Sequence, residues 1–406
     1  MTQVLPSGSI FKNTSWNLLG NIYYAATQWF LLVVISKIGN VQMVGQFSLC
    51  LALTAPILML FNMQLRAVQA TDIKEQYSFQ EYFGLRIITS CLAFVALVVT
   101  SGFIGYSKKT IVLIIVFMVA KVFESLSDIV FGLLQKNEVL KISAISQIIK
   151  GTASLIILTL LLYTTNDLQF SMVGLALTWI GVFFWYDLKK AKFYSKTRPI
   201  INLLKMKQLM TISLPLGITL MLFSLSTNMP RYFIERSYGE EILGYFSALS
   251  YIVVAGSTVV SAIGQATNPR LAKYYVEGNH REFKKLMLKI VSIGVMLGLL
   301  GVIFSIFFGK WFLSFFYSSD YANYIDVFKL LMLMGMIDFI ANFLGYGLTA
   351  TKKFKSQQTI SMVCALITLI LSIILIKDYS LIGAVYTLII SSLTRLILQF
   401  LLLIKK

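Results

Sequence analysis

An arginine, Arg231, lies inside an apolar run that begins near Leu209 and is long enough to cross a membrane. A charge in the hydrocarbon core costs about 2.5–3.5 kcal/mol on insertion scales, so a buried charge there usually marks a ligand or ion path. Guanidinium is planar, always charged and able to form two parallel hydrogen bonds, which suits a diphosphate. The alternative is a side chain that extends to the outer headgroups. Arg231 is the first candidate for a phosphate contact.

Four further cations are candidates for the same cationic site. Arg66 and Arg270 follow the second and eighth apolar runs at their predicted inner ends, where a contact with the lipid interface competes with substrate binding. Lys150 and Arg395 are embedded in the fifth and twelfth runs. Each of these two either faces a cavity or pairs with a carboxylate of the fourth run.

Acidic residues form a second constellation in the fourth run. Lys121, Glu124 and Asp128 are spaced by three and four residues, which places them on one face of a helix. One interpretation is a Lys121–Glu124 ion pair that fixes helix packing. The other is a proton or sodium site, because two nearby carboxylates in low dielectric favour binding of a proton or cation. Asp338, a lone carboxylate in the tenth run, is an alternative ion site.

Composition limits the chemistry to that of a membrane protein. The 406 residues are 57% hydrophobic and 13% charged, whereas soluble domains carry about 25% charge. Three cysteines in separate apolar runs and the single His280 offer neither a metal site nor a Ser-His-Asp triad. The chain has no Gly-rich phosphate loop, so we expect no nucleotide, cofactor or ATP-driven step in this chain alone. The net charge of +18 suggests nucleic acid only in a soluble protein.

Runs of about twenty apolar residues, each able to cross a core of roughly 30 Å, must position these side chains. The sequence predicts an all-α polytopic membrane protein with twelve such spans: 14–38, 44–64, 83–102, 110–132, 143–163, 169–187, 209–238, 242–266, 287–309, 325–349, 357–376 and 380–403.

Lysine and arginine alternate loop by loop between these spans. Every second segment, from the one with Lys12 to the one with Lys405 and Lys406, belongs to one set. This set holds 24 lysines and arginines, among them Lys74 and Arg86, and the opposite loops hold six. The positive-inside rule then predicts that both termini are cytoplasmic. The first span is expected to act as an uncleaved signal-anchor.

Two segments 199 residues apart resemble each other. Val44-Gly-Gln-Phe-Ser48 parallels Leu243-Gly-Tyr-Phe-Ser247, and Ile35-Ser-Lys37 parallels Ile234-Glu-Arg236. Repeats separated by an even number of spans share one orientation. The sequence thus predicts two pseudo-symmetric six-helix lobes, 1–188 and 209–406, joined by a basic cytoplasmic linker, 189–208, and working by alternating access around a central cavity.

Three short stretches resemble polysaccharide flippases of the Wzx-like type: Asn228–Ser247, the Leu214-Pro215-Leu-Gly opening of the same helix, and Asn62–Asp72. These flippases belong to the multidrug/oligosaccharidyl-lipid/polysaccharide (MOP) exporter superfamily, which shares the fold of MATE drug exporters and lipid II flippase. The resemblance implies movement of an undecaprenyl-diphosphate-linked oligosaccharide, an O-antigen or capsule unit, across the bacterial inner membrane. It also implies a cavity with basic residues, which Arg231 and Arg66 fit.

Partners and rival functions follow from the same resemblance and composition. The expected partners are the lipid-linked oligosaccharide, the lipid bilayer, H⁺ or Na⁺, a polysaccharide polymerase and a chain-length regulator; nucleic acid is not expected. The rival functions are a MATE-like exporter of small cations, a membrane-embedded polymerase or ligase, and a non-transporting scaffold. A net-cationic cavity disfavours the first, and short outer loops without histidine disfavour the second.

Overall fold

Long helices make up this computed structural model, which describes residues 7–72 and 75–404, with residues 7–14 described by their backbone alone. No strand occurs in these ranges, so the predicted all-α class is confirmed. The helices are α1 (Ser7–Ile38), α2 (Val41–Asn62), α3 (Leu65–Thr71), α4 (Phe79–Ile104), α5 (Lys108–Lys136), α6 (Leu140–Thr165), α7 (Leu168–Val182), α8 (Leu188–Ala191), α9 (Leu203–Val276), α10 (His280–Phe307), α11 (Gly309–Phe316), α12 (Ser319–Ala322), α13 (Ile325–Ala350), α14 (Phe354–Leu371) and α15 (Lys377–Ile404). One π-helical turn, Phe183–Asp187, joins α7 to α8, and another, Ser372–Ile376, joins α14 to α15.

Ten of the described helical stretches are long and apolar enough to cross a membrane. Two of them, Leu203–Val276 and Phe354–Ile404, have 74 and 51 residues, far more than one span needs. The backbone leaves helical dihedral angles at Gly239 in the first and at Ser380 in the second. Dividing the two stretches at these residues gives twelve segments, which is the predicted number. The breaks fall at the predicted boundaries between the seventh and eighth spans and between the eleventh and twelfth.

The chain forms two compact units. One comprises the described parts of Met1–Leu31 with Leu53–Met221, and the other comprises Leu32–Ala52 with the described part of Leu222–Lys406. The predicted lobes, 1–188 and 209–406, and the predicted linker between them stay a prediction. The orientation of the termini also stays a prediction. Of the residues on which it rests, Lys74, Lys405, Lys406 and the side chain of Lys12 lie outside the described residues.

The first unit has an aromatic and aliphatic core that holds the start of α4 against the end of α5. Tyr82 and Phe83 of α4 are buried beside Leu133 of α5, Phe183 of the π-helical turn and Met206 of α9. The helix begins after Ser78, whose backbone N–H donates to the Glu81 carboxylate at 2.8 Å. This capping interaction fixes where α4 begins and therefore how deep its later residues lie.

Glycines let α2 and the part of α9 after Gly239 approach each other closely within the second unit. A Cβ at Gly45 would lie 1.7 Å from the carbonyl oxygen of Glu240, and one at Gly244 would lie 2.1 Å from that of Val41. The two contacts are related by the same offset of 199 residues as the sequence repeat. The repeat therefore reflects a close crossing of two helices, to which each repeated segment contributes the equivalent glycine.

We predict that Gly45→Ala and Gly244→Ala each lower the free energy of unfolding by about 1–3 kcal/mol, because the added methyl group meets backbone atoms that must move. Gly181→Ala is the matched control, since a Cβ at this helical glycine meets no atom within 4 Å. Thermal or denaturant unfolding of the purified protein in one detergent measures all three. Equal stability of the three variants would contradict the close crossing.

Candidate functional site

Two arginines flank Asp128 in the first unit. Arg66 of α3 lies 3.2 Å from Asp128 Oδ1, and Arg86 of α4 lies 3.5 Å from Asp128 Oδ2. Arg86 also donates to Asn62 Oδ1 and, at 3.3 Å, to Ser125 Oγ. The cluster carries one net positive charge and joins the end of α2 to α3, α4 and α5.

Arg86 was counted with the cytoplasmic charges although it lies inside the predicted span 83–102, and the structure places it inside α4. Its side chain is fully buried, eight residues after Ser78 and thus two turns inside α4. The sequence contains a signal that could have shown this, because Ser78 followed by Glu81 is the pattern of a capping box and starts the helix earlier than its apolar run. Burial explains the partners, since a guanidinium inside the protein needs a carboxylate and acceptors around it.

Lys121 and Glu124 form an ion pair on α5, with 2.7 Å between Nζ and Oε2. Tyr24 of α1 donates its hydroxyl to Glu124 Oε1 at 2.7 Å, and Lys121 Nζ lies 5.0 Å from the ring centroid of Trp179. Glu124 and Asp128 are therefore held by different cations. The Lys121–Glu124 pair of the first interpretation is present, while an ion-coupling role for these carboxylates stays a prediction.

Lys150 is buried in an ion pair with Asp187, at 3.0 Å, and both side chains are almost completely inaccessible. Asp187 also accepts from Ser146 Oγ at 2.5 Å, and Lys150 donates to Ser127 Oγ. Asp187 belongs to the π-helical turn after α7, an irregularity that often occurs at functional sites. Of the two alternatives for Lys150, pairing with a carboxylate of α5 is wrong, because its carboxylate comes from the turn after α7.

Arg395 and Asp338 pair in the second unit, at 2.6 Å between α15 and α13. Asp338 also accepts from Ser392 Oγ and Asn342 Nδ2, both at 3.2 Å. Asp338 therefore has a cationic partner on another helix, and its role as an alternative ion site stays a prediction. Of the two alternatives for Arg395, pairing with a carboxylate of α5 is wrong, because its carboxylate is Asp338 of α13.

Arg231 of α9 has a different environment. Its Nη1 donates to Thr227 O at 3.1 Å and Asn228 Oδ1 at 3.0 Å, and its Nη2 donates to Ser250 Oγ at 3.0 Å. Asn228 is itself oriented by donating to Ser224 O. None of these acceptors is charged, and within the described ranges Arg231 forms no ion pair. The guanidinium is held in place while its positive charge stays uncompensated by a carboxylate.

Arg270 lies near the end of α9, on the surface. Its Nε donates to Tyr274 Oη at 2.9 Å, and its guanidinium carbon lies 5.6 Å from that ring centroid. It lines a groove together with residues of α10, so the structure places it apart from the ion pairs described above. Among the residues that the structure describes, no group of three or more His, Cys, Asp or Glu could hold a metal ion.

Solved structures show the class of protein to which this fold belongs. The chain is similar to a MOP superfamily transporter from Pyrococcus furiosus, with 14% identity, a TM-score of 0.69, and 97% of this chain and 95% of that chain covered. It is also similar to an outward-facing multidrug resistance MATE family transporter of the MOP superfamily, with 13% identity, a TM-score of 0.70 and 97% and 94% coverage. The fold is that of MOP superfamily transporters.

Sequence comparisons then give the family. Residues 10–275 match the family described as polysaccharide biosynthesis protein, and residues 215–374 match the family MatE. The capsular polysaccharide biosynthesis protein CapF of Staphylococcus aureus is 32% identical over 396 residues, which are 95% of this chain and 97% of CapF. This chain belongs to the polysaccharide biosynthesis protein family, and the resemblance drawn from its sequence is confirmed.

We predict that Lys150→Met or Asp187→Leu alone lowers the free energy of unfolding by about 3–5 kcal/mol, because each leaves a buried charge without its partner. The double variant should recover most of this loss, since no buried charge remains at the position. Unfolding in detergent with all three variants gives the coupling energy. Additive losses in the double variant would show that the pair does not act as a unit.

Proposed function

We propose that this protein flips a polyprenyl-diphosphate-linked oligosaccharide, a repeat unit of capsule or O-antigen, from the cytoplasmic to the outer leaflet by alternating access. The observation that carries the proposal is Arg231, an oriented guanidinium within a membrane-spanning helix that no carboxylate of the described residues neutralises. The family and the fold support a transporter related to polysaccharide synthesis. A diphosphate is the anionic group that such a lipid-linked sugar carries.

The other embedded cations are less suited to the phosphates. Arg66, Lys150 and Arg395 each have a carboxylate within 3.2 Å, and a diphosphate would have to displace it. Arg66 is the next candidate after Arg231, because its side chain is 25% exposed and because Asp128 is shared with Arg86. We therefore assign the first phosphate contact to Arg231 and a secondary contact to Arg66.

The pattern of ion pairs disfavours the rival exporter of small cations. Such a carrier needs a carboxylate open to a cationic substrate, whereas Glu124, Asp128 and Asp338 are each held by a lysine or arginine. The same three carboxylates remain the proposed sites for H⁺ or Na⁺, which would have to compete with these cations.

The membrane potential provides a second source of energy, worth about 2.3 kcal/mol per charge per 100 mV, and it favours outward movement of an anion.

The proposed location is the bacterial inner membrane, with both termini in the cytoplasm. The positive-inside asymmetry of the sequence supports this orientation. A flipped repeat unit must next be joined to others outside, so a polymerase and a chain-length regulator are the proposed protein partners. These assignments rest on the family and on the proposed substrate.

Flipping is tested in proteoliposomes that contain a labelled short-chain prenyl-diphosphate oligosaccharide, with a membrane-impermeant quencher to measure the lipid in each leaflet. We predict that Arg231→Gln slows flipping by about tenfold to a hundredfold, since charge-assisted hydrogen bonds contribute about 1.5–3 kcal/mol. Arg231→Lys should recover only part of the rate, because ammonium does not bind phosphate in a bidentate way. Arg236→Gln, an exposed arginine of the same helix, is the matched control.

Two outcomes separate the function from the site. If the wild-type protein flips no faster than empty liposomes, with a native glycan and an imposed ion gradient both supplied, the proposed function is wrong. If flipping by Arg231→Gln equals flipping by Arg236→Gln, the function stands and the assignment of the phosphate contact to Arg231 is wrong.

A further inference from the structure

A basic groove lies where α9 ends and α10 begins, and we propose that it binds the headgroup of an anionic phospholipid of the inner leaflet. The groove encloses about 630 Å³. Its lining residues are Arg270, Tyr274, Glu282, Lys285, Leu286, Leu288, Lys289 and Ser292. The proposal concerns a bound membrane lipid and is separate from the transported substrate.

Charge is the first reason for a phosphate ligand. Arg270, Lys285 and Lys289 bring three positive charges to the groove, against the one carboxylate of Glu282. In the described part of the chain none of these three cations forms an ion pair. Tyr274 accepts a hydrogen bond from Arg270 Nε, which directs the guanidinium. A phosphodiester complements this arrangement, since it offers acceptor oxygens and a negative charge.

Position is the second reason, because the groove joins polar and apolar surface. Lys285 and Lys289 are one turn apart on α10, and between them Leu286 and Leu288 also line the groove. Leu288 is 70% exposed, which suits contact with acyl chains. The groove extends from the loop after the predicted span 242–266 into the start of the predicted span 287–309, where the predicted orientation puts the inner headgroups. Basic pockets at this depth bind anionic headgroups in membrane proteins.

The chain offers a matched control for the three cations. Lys273, Arg281 and Lys284 lie on the same two helices, are exposed, and do not line the groove. Replacing either set by glutamine removes three positive charges from the same region. Only the first set, Arg270→Gln/Lys285→Gln/Lys289→Gln, removes them from the groove.

The test is native mass spectrometry of the purified full-length protein titrated with phosphatidylglycerol, phosphatidylcholine or inorganic phosphate. We expect the wild-type protein to retain phosphatidylglycerol over phosphatidylcholine. The groove variant should lose about a hundredfold in affinity, which corresponds to about 1 kcal/mol for each of three cations. The control variant should lose less than about tenfold, because its three side chains do not line the groove. Unfolding temperatures of both variants verify that each is folded.

Three results would overturn the proposal. The first is equal retention of the two phospholipids by the wild-type protein. The second is an equal loss in the groove and control variants, which would show only a diffuse surface attraction. The third is competition by inorganic phosphate at the concentration at which phosphatidylglycerol binds, which would identify a free-phosphate site instead of a lipid site.

Discussion

The cost of a charge inside the hydrocarbon core governs the arrangement of the embedded residues, at about 2.5–3.5 kcal/mol or more for each side chain. Ion pairs meet this cost in the described helices: Lys121 with Glu124, Lys150 with Asp187, Arg395 with Asp338, and Arg66 and Arg86 with Asp128. Arg231 is stabilised differently, since its acceptors among the described residues are uncharged. A diphosphate would supply the negative charge that its surroundings lack.

The ion pairs also connect helices, so they contribute to the fold as well as to electrostatics. Asp128 joins α5 to α3 and α4, Asp187 joins the π-helical turn to α6, and Asp338 joins α13 to α15. A structural role is therefore sufficient to explain these pairs. Arg231 also connects two segments, because its hydrogen bond to Ser250 reaches across the break at Gly239. It differs from the ion pairs in that a neutral side chain could replace it without leaving a carboxylate unpaired.

Long apolar runs and the charges between them were enough to predict twelve spans, because hydrocarbon thickness fixes their length and composition. The repeat around Gly45 and Gly244 was also visible, and the structure gives its physical cause, a close backbone crossing. Partners within the membrane were not predictable. Asp338 and Arg395 are 57 residues apart, and only the packing of α13 on α15 shows that they meet. Asp187 was not predicted as the partner of Lys150, because nothing in the sequence of its helix indicates the π-helical turn.

We propose that Arg231, unlike the paired cations, is available to a diphosphate. The most direct measurement is the affinity of the purified protein for a water-soluble short-chain prenyl diphosphate, compared with the corresponding prenyl alcohol. We expect Arg231→Gln to lose the preference for the diphosphate, and the double variant Arg395→Gln/Asp338→Asn, which removes a cation together with its carboxylate, to keep it. An unchanged preference in Arg231→Gln, or an equal loss in both variants, would contradict the claim.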